Sequence, residues 1–130
     1  VSPSPTKTRE LVIQALYQKT ISGDSNTKVL KDLKQSQKKL NTDKVAEIVK
    51  DIKSLEIKFI ETISKFSNIP TSRIGGIELS ILYLALYEIS KSKLDKPIII
   101  NEAIKLAKKF GQNSSHKFIN AVLDKAIKNI

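Results

Sequence analysis

The chain has 130 residues, which is enough for one domain with a real hydrophobic core. It has no cysteine, so disulfides, thiolate metal sites and cysteine nucleophiles are excluded. The net charge of +10 favours a polyanionic partner, although a lysine bias acting on the whole chain would give the same total. Nothing in the sequence resembles a signal peptide or a membrane span, and we expect a cytoplasmic protein with no membrane partner.

Three helices are predicted in the first half of the chain, after a disordered tail at residues 1–5. The first covers 6–21 and is stopped by Gly23. Its apolar residues recur at helical spacing. They are Leu11, Val12, Ala15 and Leu16. A weaker helix is predicted over 25–39, and a long helix with one apolar stripe over 43–66.

Residues 77–90 form the most apolar window of the chain, yet they are too few to span a bilayer. On a helix, their apolar side chains would cover more than half of the circumference, which predicts a central helix surrounded by others. After it, we predict an extended lead at 98–100 into a helix capped near Asn101. A last helix is predicted to begin at Ser114 or Ser115. The predicted fold is all-α, with six to seven helices.

Positive charge gathers at two predicted helix starts. Lys7 and Arg9 lie in the first turns of the first helix, where the helix dipole disfavours each cation by roughly 0.3–1 kcal/mol. This placement predicts a visiting anion, unless local acidic side chains neutralise the two cations. Ser114, Ser115 and Lys117 stand at the start of the last helix, where free amides favour a phosphate, although an ordinary serine cap is the alternative. We expect the fold to join both helix starts into one phosphate-binding strip.

Candidate catalytic groups are scarce. His116 is the single histidine, and neither a cysteine nor a pair of acidic residues stands near it in the sequence. The four glycines do not form a phosphate-binding loop, and the acidic residues do not form a metal-ligand pattern. We therefore expect no enzyme activity, no cofactor and no metal.

Four sequence blocks resemble the signature of the bacterial transcription antitermination NusB family. They are INEAIKLAKKFG at 100–111, SHKFINAVLDK at 115–125, ALYE at 85–88, and RE with QALY at 9–10 and 14–17. The blocks occur in the family's order. The resemblance is nearly continuous in the C-terminal half and is limited to the helical pattern at 24–68.

The resemblance implies two small helical bundles around the helix at 77–90, in a single NusB-like domain over residues 1–130. It implies binding of single-stranded boxA RNA from ribosomal RNA leaders, together with the small-subunit ribosomal protein NusE, within an RNA polymerase antitermination complex. Glu78 is implied to contact NusE. The residues implied at the RNA are Lys7, Arg9, Tyr17, Ser114, Ser115 and Lys117. For Tyr17, a place in the core beside Leu16 is the alternative.

The chain departs from the family in one respect. Family members often carry an arginine-rich run before Arg9, whereas this chain has Ser-Pro-Ser-Pro-Thr before Lys7. Because phosphate contacts dominate nucleic-acid affinity, we expect weak RNA binding by the protein alone, unless other lysines compensate or residues preceding Val1 contribute. Two other functions stay open. One is the RNA-binding N-terminal domain of a ribosomal RNA cytosine methyltransferase, and the other is a purely protein-binding helical adaptor.

Overall fold

A computed structural model describes residues 1–129, and this part of the chain contains six α-helices, one short 3₁₀ helix and no β-strand. The α-helices are α1 (Pro5–Ser22), α2 (Asn26–Ser36), α3 (Asp43–Phe66), α4 (Gly76–Lys91), α5 (Lys96–Phe110) and α6 (Ser115–Lys128). The 3₁₀ helix is Thr71–Arg73. The all-α prediction is confirmed. Within the described residues, none of the helices is both long and apolar enough to cross a membrane.

The helices form two compact units, which confirms the two predicted bundles. The first is Val1–Ser54 and the second begins at Leu55, so the division lies within α3. In the first unit α1 packs against α2. In the second unit α4 packs against both α5 and α6, which also pack against each other. Helix α4 is therefore the central helix of the second unit.

In the first unit, α1 and α2 are joined by a glycine turn. Gly23 has a φ of 72°, in the left-handed region that glycine adopts readily, and its N–H donates to the Lys19 carbonyl at 2.9 Å. Gln18 on α1 donates to Asp32 on α2 at 3.1 Å. The buried apolar residues of these two helices are Leu11, Val12, Ile13, Ala15, Leu16, Val29 and Leu33. The predicted apolar face of the first helix is thus its buried face.

Helix α1 begins one residue earlier than predicted, inside the segment expected to be a disordered tail. Ser4 is the N-cap, and its hydroxyl accepts the Lys7 N–H at 3.1 Å. Pro5 follows in the first turn, where its missing N–H costs nothing. The Val1 carbonyl also accepts the Asn41 N–H at 2.8 Å. The tail prediction is therefore wrong for Pro5, and Val1 is hydrogen-bonded within the first unit.

Helix α4 is buried on every side along residues 80–87, as its apolar circumference predicts. Ser80 fits this environment because its hydroxyl donates to a backbone carbonyl of its own helix at 2.7 Å. The rings of Tyr83 and Phe59 lie 6.4 Å apart and are inclined by 34°. Burial, with a smaller effect of the Glu56 carboxylate, raises the pKa of Tyr83 to about 12.

The extended segment predicted at 98–100 is wrong, because helix α5 already begins at Lys96. Asp95 is the N-cap residue, and its carbonyl accepts the N–H of Ile99 at 3.2 Å. Pro97 lies in the first turn, where its fixed φ suits a helix. Three consecutive isoleucines favour a strand by intrinsic propensity, but this helix start and the burial of Ile99 prevail.

Candidate nucleic-acid interface

The start of α1 presents positive charge to solvent. Its first turn has no acidic residue. Lys7 is exposed, and the described residues include no ion pair with its ammonium group. Because the Ser4 hydroxyl already accepts the Lys7 N–H, Lys7 offers a ligand its ammonium and not its backbone amide. Arg9 is half-buried and interacts with another group of the protein.

Tyr17 lies further along α1 with its side chain at the surface. It is 37% exposed, whereas the adjacent Leu16 is 6% exposed. Leu16 is therefore the core residue of this pair, and the alternative that placed Tyr17 in the core is wrong. A ring of this exposure on a helix surface can be reached by an unpaired base.

The start of α6 is also free of acidic side chains in its first turn. Ser114 is the exposed N-cap residue, but its side chain makes no capping hydrogen bond. The alternative of an ordinary serine cap is therefore wrong for Ser114, whose hydroxyl does not cap the helix and is exposed to solvent. Lys117 is exposed, and its N–H donates to the Ser114 carbonyl at 3.1 Å.

Ser115 differs from its neighbours because it is buried, with 5% of its surface exposed. Its hydroxyl donates to Glu78 Oε1 at 2.5 Å and accepts the N–H of Gln112 at 2.9 Å. A side chain this buried and hydrogen-bonded does not present its hydroxyl to a ligand at the surface. Ser115, predicted to contact RNA, is therefore hydrogen-bonded to Glu78, predicted to contact the protein partner.

Glu78 lies in the first turn of α4, where the helix dipole favours an acid. It is half-buried, so its carboxylate is reachable from solvent while one oxygen is held by Ser115. The second oxygen, Oε2, lies against Gly75, where an added Cβ would overlap it. Ser115 therefore holds one oxygen of this carboxylate, while the other lies close to the Gly75 backbone.

Phe110 is a surface feature that the sequence did not reveal. Phe110 is the last residue of α5 and is 39% exposed, whereas Leu106 and Ala107 one turn before it are buried. The Lys109 Nζ lies 5.4 Å from the centre of its ring. An exposed aromatic ring and a cation thus stand directly before the loop that leads to α6. The helix end at Gly111 was the only sequence signal that could have indicated this exposure.

The predicted RNA residues are divided between the two units. Lys7, Arg9 and Tyr17 belong to the first unit, and the residues at 114–117 to the second. That both helix starts form one strip stays a prediction. His116 is half-buried, and the described residues contain no group of three histidine, cysteine or acidic side chains that could hold a metal ion.

Similar proteins exist both in sequence and in structure. The sequence model of the NusB family matches residues 6–128. The transcription antitermination protein NusB of Buchnera aphidicola subsp. Cinara cedri is 43% identical, with 95% of this chain and 89% of that protein covered. The NusB of Aliarcobacter butzleri is 35% identical, with 95% of this chain and 96% of that protein covered.

Among solved structures, T. maritima NusB superposes with a TM-score of 0.86 at 24% identity, covering 98% of this chain and 93% of that one. A crystal structure of the antitermination factors NusB and NusE with double-stranded RNA superposes with a TM-score of 0.82 at 21% identity, covering 96% of each chain. At these identities the two structures establish the fold. The family model over residues 6–128 and the two relatives at 43% and 35% identity identify the family: this chain belongs to the NusB family.

Proposed function

We propose that the protein is an RNA-binding transcription antitermination factor that acts together with NusE. The observation that carries this proposal is the family match over residues 6–128, joined by relatives named as antitermination proteins. The similar fold solved with NusE and RNA supports both partners. The net charge of +10 supplies the attraction for a polyanion.

RNA contacts are proposed at the start of α1 in the first unit and at the start of α6 in the second. Phosphates would be contacted by Lys7, Arg9 and Lys117. The Ser114 hydroxyl, which makes no capping hydrogen bond, would donate a further hydrogen bond. The support is electrostatic, because neither first turn contains an acidic side chain that would repel a phosphate. The proposed ligand is single-stranded boxA-type RNA, whose backbone a set of separate cations can follow.

Base stacking is proposed for two exposed rings, Tyr17 on α1 and Phe110 at the end of α5. Stacking on an aromatic side chain is worth roughly 1–3 kcal/mol per base, and it requires an unpaired base. We therefore expect Tyr17→Ala to weaken binding of single-stranded RNA more than binding of a duplex of the same sequence. For Ser115, burial supports a role in positioning the loop rather than a direct RNA contact.

NusE is proposed to bind at Glu78, and the pair would act within an RNA polymerase antitermination complex. A half-buried carboxylate with one oxygen bonded to Ser115 can accept a charged or polar donor from a protein surface. Glu78→Lys should weaken NusE binding, which isothermal titration calorimetry measures, and should cost about 1–3 kcal/mol of stability because the buried Ser115 hydroxyl loses its acceptor. Unchanged affinity for NusE would place the interface elsewhere.

The proposal includes a non-enzymatic role in the cytoplasm, where transcription takes place in bacteria. The relatives described above carry the antitermination name, which favours this function over the RNA-binding domain of a methyltransferase. It is also favoured over a purely protein-binding adaptor, because Lys7 and Lys117 are exposed at helix starts without acidic neighbours in the first turn.

The deciding experiment measures the salt dependence of RNA binding. Filter binding of a single-stranded boxA-type RNA is followed over a salt series for the wild type and for the double variant Lys7→Gln/Lys117→Gln. Each lost phosphate contact lowers the slope of log K against log salt by about 0.7, so the double variant should lose about 1–2 units of slope.

The matched control is the double variant Lys31→Gln/Lys125→Gln. It removes the same charge, again one lysine from each unit, and both residues are exposed. The control should keep the wild-type slope. If all three slopes coincide, the proposed phosphate contacts are refuted, while the absence of any RNA binding by the wild type with NusE present would refute the function itself.

A further inference from the structure

A chain of hydrogen bonds joins the two proposed binding regions of the second unit. The Gln112 N–H donates to Ser115 Oγ at 2.9 Å, and this hydroxyl donates in turn to Glu78 Oε1 at 2.5 Å. Gln112 belongs to the loop that carries Ser114, and Glu78 begins α4. Ser115 therefore connects the proposed NusE contact with the proposed RNA loop.

Two glycines leave the space that this connection needs. A Cβ at position 75 would overlap Glu78 Oε2, and a Cβ at position 111 would lie 2.8 Å from both Cβ and Oγ of Ser115. Neither glycine has a positive φ, so the reason for glycine at both positions is space and not backbone conformation. At position 111 the near atoms belong to the backbone and to buried Ser115, whereas at position 75 they belong to the movable end of the Glu78 side chain.

Resting on the proposed function, we propose that Ser115 is a positioning residue that transmits NusE binding at Glu78 to the RNA-binding loop at 111–114. A carboxylate has about four acceptor sites, so a donor from NusE can bind Glu78 while Ser115 keeps its own bond. Binding then holds Glu78 in the orientation that Ser115 requires. The Gln112 bond, and with it the loop, becomes more ordered before RNA arrives, which raises RNA affinity.

The direct test measures RNA affinity with and without NusE. In the wild type, saturating NusE should tighten binding of a single-stranded boxA-type RNA about tenfold, within the usual range of coupling between sites. Ser115→Ala keeps the Glu78 carboxylate but removes its donor, so NusE should still bind and the gain in RNA affinity should fall below about threefold. The control is Ser90→Ala, because the Ser90 hydroxyl only donates to a carbonyl of its own helix at 2.9 Å.

A second measurement uses the wild type and does not depend on how well a variant folds. The Gln112 amide exchanges with solvent only when its bond to Ser115 opens. Adding NusE without RNA should slow exchange of this amide about tenfold, the same factor by which RNA affinity rises. A residue that merely supports the fold would show no response to NusE at this single amide.

The outcomes separate this inference from the function on which it rests. If the wild type binds neither NusE nor RNA, the proposed function fails and the coupling fails with it. If both bind but NusE changes neither RNA affinity nor Gln112 exchange, the positioning role alone is refuted. Full retention of the NusE effect in folded Ser115→Ala refutes it equally.

Discussion

Gly111→Ala tests whether the end of α5 is as closely packed as the structure indicates. A Cβ at this position would lie 2.7 Å from the Ala107 carbonyl oxygen and 2.8 Å from Ser115 Cβ, whereas ordinary contacts begin at 3.4 Å. The clash is therefore with a backbone oxygen and with the first atoms of a buried side chain. Neither can turn away as the end of a flexible side chain would.

The size of the effect follows from three contributions. Overpacking costs about 1–3 kcal/mol, because neighbouring backbone must shift by several tenths of an ångström. The φ of −91° at Gly111 is open to alanine, so no conformational cost is added. Alanine lowers the conformational entropy of the unfolded chain, which raises the unfolding free energy by about 0.4–1 kcal/mol. The expected loss of unfolding free energy is about 1–2 kcal/mol, or roughly 4–8 °C in Tm.

Urea unfolding followed by circular dichroism measures this loss, and Gly23, the glycine between α1 and α2, provides the matched comparison. At Gly23 nothing lies within 4 Å of an added Cβ, but the φ is +72°. Asparagine tolerates this conformation better than alanine does. Stability should therefore fall in the order glycine, asparagine, alanine at position 23. At position 111, where size decides, the order should be glycine, alanine, asparagine.

Two results would contradict this reasoning. Gly111→Ala with wild-type stability would show that Ser115 and the end of α5 move apart easily. The same order of the three residues at both positions would show that one property, size or conformation, governs both glycines. Either result would also weaken the argument that Ser115 is held in a fixed place.

Two further predictions concern pH. Because the pKa of Tyr83 is raised to about 12, the unfolded chain ionises this phenol first as the pH rises above 10. The wild type should therefore lose up to about 3 kcal/mol of stability relative to Tyr83→Phe between about pH 9 and 12, measured by urea unfolding, and parallel losses would contradict the burial. Hydrogen bonds from Lys28 and then Gln18 lower the pKa of Asp32, so its stabilisation is present above the ordinary aspartate pKa and disappears as the pH falls through the lowered value. Asp32→Asn should destabilise the protein at neutral pH, and this deficit should shrink as the pH falls below the ordinary aspartate pKa; a deficit that does not change with pH would refute this origin.

Helices with local signals are predictable from the amino-acid sequence alone. The predicted long helix at 43–66 coincides with α3, and the first helix ends before Gly23 as predicted. Such features depend on apolar spacing, caps and glycine conformation within a few residues, so a short window contains the whole cause. The apolar circumference at 77–90 likewise determined that α4 would be buried.

Local signals that conflict were harder to weigh. The three isoleucines at 98–100 favour a strand, while Asp95 and Pro97 favour the start of a helix. The structure resolves this conflict in favour of the helix, because Ile99 is buried in the second unit and its N–H is paired in the first turn. No other segment of the described chain forms a strand with which 98–100 could pair.

Only the tertiary structure decided what the site residues contact. Ser115 and Glu78 are 37 positions apart, and the packing of α4 against α6 brings the hydroxyl to the carboxylate. The sequence assigned them to different partners because burial and direction of a side chain depend on which helices meet. Helical spacing gives the face on which a side chain lies, but only packing decides whether another helix covers it at that height.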